Sequence, residues 1–269
     1  MKTTIFDGKK FAKEKKAELR ARVEELKKAG ISPKLVSIII GDDPASLLYV
    51  SLKKKKAQEV GCLMEVKRFG PEADTDKLIR QIKLLNRDSS VHGIMVQLPL
   101  PGNLRKKTSY ILETIALGKD VDGLRGKSPF VSATLKAVLQ IIKVAKKAVG
   151  HNFGKVVVIG ASGMVGKPLI GILRRSGYKV TGYNTKTKNL KLKTKKADLL
   201  IGATGSPGLI KKDMVKYGAV VIDVGSPKGD VDPSVSPRAS FFTPVPGGVG
   251  PATIVCLLEN LVIAAGKSI

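Results

Sequence analysis

Residues 155–168 read KVVVIGASGMVGKP. Four apolar residues, Val156 to Ile159, run into glycines at 160, 163 and 166, and KPLIGILRRSG follows with the composition of a helix. A strand, a glycine-rich turn and a helix in this order make the first half of a βαβ unit. Small residues at such a turn let it tighten, let backbone N–H groups approach a phosphate, and let the helix pack on the strand. A glycine-rich loop alone is a weak signal, and the spacing here is G-x-x-G-x-x-G where G-x-G-x-x-G is usual. Its place between an apolar strand and a helix gives it weight.

Downstream, YKVTGY (178–183), DLLIGA (198–203) and AVVIDVG (219–225) read as further strands, so a Rossmann-like dinucleotide-binding domain is expected over residues 126–251. An NAD-selective site offers an Asp or Glu about 20 residues after the first glycine, to hold the ribose 2′-hydroxyl. Here the second strand ends in Tyr183-Asn184-Thr185-Lys186-Thr187-Lys188, with a hydroxyl and two ammonium groups in place of a carboxylate. Charge complementarity favours NADP, with NAD as the second candidate. The cofactor-binding candidates are Gly160, Ala161, Ser162, Val165, Gly166, Thr185 and Lys186, joined by Gly205 and Ser226 after the later strands. The lysine-rich run 186–196 reads equally as an exposed helix face or a binding element.

Upstream, residues 35–41, 62–68 and 93–98 read as buried strands, and 8–29, 44–60 and 75–86 carry helical spacing. This is a second βα layout with a mostly parallel sheet, expected over residues 1–125. Residues 134–149 form an amphipathic helix between the two lobes. In GDDPASLLYVSLKKKK (41–56), Asp43 suits a helix cap and Pro44 a first turn, which places Tyr49 and Lys53 as i, i+4 neighbours. A phenol and an amine together suit proton transfer. Repulsion among Lys53, Lys54, Lys55 and Lys56 is expected to disfavour their charged forms. On these residues alone, a solvated lysine run beside a core tyrosine reads as well. Gln97 alone reads as a polar strand end, and Asp122 as a turn aspartate before Gly123.

The segment at 43–55 is similar to the pattern D-P-A-S-x-x-Y-V-x-x-K-x-K of the bifunctional methylenetetrahydrofolate dehydrogenase/methenyltetrahydrofolate cyclohydrolase family. GIMVQLPLP (93–101), KDVDG (119–123), the glycine loop, IDVG (222–225), GDVD (229–232) and TPVPGGVGP (243–251) resemble that family's later motifs, in its order. The resemblance implies a folate-binding catalytic domain of residues 1–125 completed by a returning helix at 252–269, a cleft between it and the Rossmann-like domain, and a homodimer. It implies two reactions of one-carbon metabolism, oxidation of 5,10-methylenetetrahydrofolate with NADP and hydrolysis of the methenyl product to 10-formyltetrahydrofolate, a purine-biosynthesis donor. Lys53 would be the central catalytic residue, oriented by Tyr49 and Gln97, and Asp122 would hold the pterin. Leu98, Pro99, Pro246, Gly247 and Gly248 would complete the substrate site.

The chain departs from the pattern in two places. From Gly123 it passes through LRGKSPFV directly to Ser132-Ala133-Thr134-Leu135, a shortened segment that keeps only the threonine of a P-C-T-P motif. Ala161 stands where an arginine often follows the first glycine, leaving Lys186 and Lys188 as the cations for a 2′-phosphate. A member with one activity is therefore a second reading.

A net charge of +26 raises a third, a nucleic-acid-binding protein on the same scaffold. The lysines are spread along the chain, aromatics are 4% with no Trp to stack on bases, and such a protein has no use for Tyr49, Lys53, Gln97 and Asp122 together. Steering of anionic small molecules is the preferred account of the charge. Cys62 and Cys256 sit apart in apolar runs and are expected as packed thiols; with only two histidines, no metal site is expected. Without an apolar leader or an uninterrupted run of about 18 apolar residues, a cytoplasmic location and no membrane partner are expected.

Overall fold

The computed structural model describes residues 2–267. In chain order its elements are β1 (Thr4–Ile5), α1 (Gly8–Lys28), β2 (Lys34–Ile40), α2 (Pro44–Glu59), β3 (Leu63–Phe69), α3 (Thr75–Arg87), β4 (Gly93–Val96) and α4 (Thr108–Glu113). They continue as α5 (Ala133–Val149), β5 (Val156–Ile159), α6 (Gly166–Arg175), β6 (Val180–Tyr183), α7 (Leu190–Thr194), β7 (Leu199–Gly202), β8 (Val220–Asp223), β9 (Phe241–Phe242) and α8 (Val249–Gly266). Short 3-10 turns join several of them.

The chain packs as two compact units. One consists of Met1–Phe11 with Thr134–Thr253, the other of Ala12–Ala133 with Ile254–Ile269. The first carries a six-stranded sheet in the order β1-β9-β8-β7-β5-β6, every pair parallel. Its central strands VVVI, LLIG and VVID are buried at every position, as expected for a parallel sheet covered on both faces. Val157, Ile159, Leu200, Ile210, Val221 and Phe242 share one core there. The second unit carries a parallel sheet in the order β3-β2-β4, whose core includes Val36, Ile38, Ile82, Ile94, Val96 and Ile111.

The observed division differs from the expected boundaries at the N-terminus. Thr4 and Ile5 pair with Phe241 and Phe242, and Phe6 stacks at 6.0 Å on Phe241, so the first residues pack with the dinucleotide-type sheet. A two-residue strand leaves no periodicity to read. Residues 126–133 fall with the other unit. There, α8 is apolar nearly all round; its length and mean hydropathy of 1.7 suit a membrane span, a property the sequence reading passes over, and 67% of it is buried inside the fold. Cys62 and Cys256 are both buried.

Candidate active site

The start of α2 is fixed by Asp43, whose carboxylate accepts a 2.8 Å hydrogen bond from Ser46 N, with Pro44 in the first turn. From that start, Ser46, Val50, Lys53 and Ala57 fall on one buried face. Lys53 is thereby carried inward to 6% exposure, while Lys54 and Lys55 point to solvent and Lys56 pairs with Glu59 at 2.7 Å.

Lys53 Nζ donates to Gln97 Oε1 at 3.0 Å, lies 3.8 Å from Met95 Sδ and sits 5.1 Å from the centroid of the Tyr49 ring. Gln97 follows β4 directly and its backbone N–H donates to Ile38 O at 2.8 Å, extending the ladder one residue beyond the strand. Its Nε2 donates to Leu98 O at 2.8 Å, which turns Oε1 toward Lys53. The Leu98–Pro99 bond is cis.

Burial lowers the Lys53 pKa from that of a free amine, and the negative charge of Asp122 opposes the shift. The expected cause, repulsion within the lysine run, is replaced by desolvation, because helical geometry takes the other three lysines off this face. Burial and the charge of Asp122 push the Tyr49 phenol up to about 12, so it stays protonated. Burial also raises Asp122, partly offset by Lys53 and reinforced by Asp120. Tyr49, Lys53, Gln97 and Asp122 thus form one interacting cluster in a single unit, able to hold an uncharged amine beside an acid.

Asp122 is carried on a tight turn. Gly123 adopts φ +68° and packs so closely on Ser132 that a Cβ there would lie 2.7 Å from the Ser132 backbone. The shortened segment beyond is braced on itself. Asp120 accepts from Leu124 N and Arg125 N, Arg125 Nη1 donates to Ile115 O, and Gly126 N donates to Glu113 at 2.6 Å.

In the other unit, Gly160 has φ +97°, and a Cβ on it would stand 2.0 Å from Ala203 O; one on Gly166 would stand 2.1 Å from Gly160 O. The loop from β5 to α6 therefore closes only with glycine at both places. Ser162 is exposed and held by Asn184, whose Oδ1 accepts from both Ser162 N and Oγ at 3.1 Å. Ala161 and Val165 are partly buried, while Thr185, Lys186, Gly205 and Ser226 are exposed. In the run 186–196, α7 forms and Lys193 stacks 5.4 Å from the centroid of the Tyr183 ring, whereas Lys186 and Lys188 extend into solvent. A backbone cradle that no Cβ could enter, followed by exposed cations, fits a phosphate-bearing dinucleotide.

Pro246, Gly247 and Gly248 also belong to this unit. Gly247 O accepts from Gly8 N at 2.9 Å, and Gly248 N donates to Pro244 O at 2.8 Å.

Sequence reading missed three polar groups. Asp223 accepts from the backbone N–H groups of Gly225, Asp230 and Val231, and Asp230 from those of Thr204 and Gly205, so two buried carboxylates tie the loops after β7 and β8 together. Asn260, in the middle of α8, donates to Val121 O and Val131 O. For Asp223 and Asn260 the signal available was a polar residue inside an apolar run; Asp230, in the polar stretch 228–232, offered none.

Family models for the tetrahydrofolate dehydrogenase/cyclohydrolase catalytic domain and its NAD(P)-binding domain match residues 6–122 and 132–269. The bifunctional protein FolD of Bacillus subtilis is 41% identical over 286 residues, spanning 100% of both chains. The crystal structure of bifunctional FolD from Campylobacter jejuni superposes with a TM-score of 0.90 at 39% identity, covering 100% of each chain. That of the Trypanosoma brucei methylenetetrahydrofolate dehydrogenase-cyclohydrolase, complexed with NADP and an inhibitor, gives 0.91 at 31% identity, covering 99% of this chain and 98% of that one. With both domains matched in order and relatives aligned along the whole length, this chain belongs to the tetrahydrofolate dehydrogenase/cyclohydrolase family.

Proposed function

We infer that this enzyme oxidises 5,10-methylenetetrahydrofolate with NADP and hydrolyses the resulting methenyl group to give 10-formyltetrahydrofolate. The observation that carries the reading is the buried Lys53 amine, held at 3.0 Å by Gln97 beside the protonated Tyr49 and the charge of Asp122. Bound NADP would supply the acceptor for the hydride that leaves the methylene carbon of the folate. Gly160 and Gly166 let the loop that would receive its phosphates close, Ser162 and Thr185 would supply hydroxyls, and Lys186 with Lys188 would supply positive charge toward the 2′-phosphate.

In the hydrolytic step, water adds to the methenyl carbon and the neutral Lys53 amine takes one of its protons. The ammonium formed returns that proton to the departing ring nitrogen as its bond to the one-carbon unit breaks, and the hydroxyl proton leaves to solvent. Gln97 aims the amine, Tyr49 donates a hydrogen bond without ionising, and Asp122 steadies the transient ammonium and holds the pterin through its carboxyl. Leu98 and Pro99 flank Gln97, and Pro246, Gly247 and Gly248 are kept as substrate-binding candidates within their own unit. Since the proton-transfer group and the phosphate cradle are both intact, the two-activity reading is favoured over a single-activity one.

We further propose a cytoplasmic homodimer feeding purine biosynthesis, with no membrane and no nucleic-acid partner. The open edge of β3, with Leu63 54% exposed, supports self-association, and the burial of α8 supports a core helix. Sedimentation velocity checks the first point. The activities are tested by following NADPH and the methenyl chromophore separately with 5,10-methylenetetrahydrofolate, for wild type and Lys53→Met. Wild-type turnover of both steps with hydrolysis lost in the variant is expected; no turnover of either step would overturn the reading.

A further inference from the structure

Asn260 is an amide buried to 2% exposure in the most apolar helix of the chain. An amide taken out of water is costly unless its hydrogens find acceptors. Its Nδ2 has two, Val121 O at 2.9 Å and Val131 O at 3.0 Å. Both acceptors are backbone carbonyls, so the nitrogen must face them and the orientation of the amide is fixed by chemistry.

Those carbonyls lie ten residues apart and close the ends of the turn that carries Asp122. Next to the closure, Ala133 N donates to Asp122 O at 3.2 Å and Gly123 N to Asp120 O at 3.0 Å. The backbone is thus held immediately before Asp122, at Asp122 and immediately after it. Among these contacts, Asn260 is the one that comes from a remote element, a helix anchored in the core by Leu257, Leu258 and Leu261.

We propose that Asn260 is a positioning residue for the hydrolytic step: by tying Val121 to Val131 it fixes the turn that presents the Asp122 carboxyl to Lys53 and Tyr49. The proposal rests on the proton-transfer reading of that cluster. Lys53 and Asp122 act on each other, Asp120 acts on Asp122, and Asp122 acts on the Tyr49 phenol. Asp122 favours the charged form of Lys53, so releasing Asp122 makes the amine easier to deprotonate.

The test uses the full-length enzyme and two readouts: methenyltetrahydrofolate hydrolysis against pH, and NMR titration of the Lys53 side chain, its resonance identified by absence in Lys53→Met. Asn260→Leu is expected to lower the hydrolysis rate between about tenfold and a hundredfold. It should also move the acid limb and the Lys53 titration down by about one pH unit, in the direction given by Asp122→Asn. In the double variant the shift should not grow, because both changes remove one interaction. Asn260→Ser, which keeps a single donor, should fall between wild type and Asn260→Leu and serves where the leucine variant does not fold. A lowered melting temperature with an unmoved titration, or shifts that add in the double variant, would overturn the proposal and leave Asn260 a packing residue. Absence of hydrolysis by the wild type would instead overturn the reading of the cluster on which it rests.

Discussion

The cluster around Lys53 and the loop around Gly160 do their work with opposite materials. In the first, burial shifts the proton affinities of the side chains, and hydrogen bonds orient Lys53 and Gln97. In the second, the backbone carries the function, side chains are absent where a Cβ would collide, and the remaining charges stand in solvent. The proton-transfer cluster thus works through a low dielectric, whereas the glycine loop works through close approach of backbone to backbone.

The contrast breaks most sharply at Lys53. Lys53→Met should reduce methenyltetrahydrofolate hydrolysis by about two to four orders of magnitude, the usual contribution of a positioned acid or base, with dehydrogenase turnover measured on the same preparation retained within about tenfold. Equal loss of both activities would show that the buried amine serves binding and not proton transfer.

The converse variant is Gly160→Ala. Its methyl meets a backbone carbonyl at 2.0 Å in a left-handed conformation, so a destabilisation of about 2 kcal/mol or more is expected, read by denaturant unfolding. NADP should lose about a hundredfold in affinity by calorimetry, a misplacement effect on its phosphate contacts. Hydrolysis of added methenyltetrahydrofolate should persist.

The third prediction concerns pH. Because Lys53 must be neutral to accept a proton and its pKa lies below the ordinary amine value of 10.5, hydrolysis should rise about tenfold per pH unit on the acid side and level off below pH 10.5. The sign for stability is the same. The unfolded chain binds more protons at this lysine, so stability rises with pH from the lowered folded pKa up to 10.5, an increment that Lys53→Met should remove from a pH series of urea unfolding curves.

The smallest effect is assigned to the exposed cations. Lys186→Ala/Lys188→Ala should reduce the preference for NADP over NAD by up to about tenfold, and the difference should shrink as salt rises. An unchanged preference would remove these lysines from 2′-phosphate recognition.

Much of this was legible in residues whose periodicity or motif was long. The strands around Val156, Leu199 and Val220, the cap at Asp43 and the i, i+4 pair Tyr49–Lys53 follow from local rules. The cause of the Lys53 shift did not, since burial of one lysine out of four depends on which helix face meets the sheet. Nor did the pairing of Thr4 with Phe241, nor the bonds from Asn260 to Val121, because contacts between residues more than a hundred positions apart leave no trace in a local pattern.

The exchange of chain ends has a consequence for biosynthesis. Neither unit is a continuous stretch: the first eleven residues complete one, and the last helical turns complete the other. While synthesis proceeds, the unit built on the β3-β2-β4 sheet stays incomplete until α8 has emerged. Splitting the gene at residue 133 would therefore not yield two self-sufficient halves, and a nascent chain stalled before residue 254 should be a substrate for chaperones.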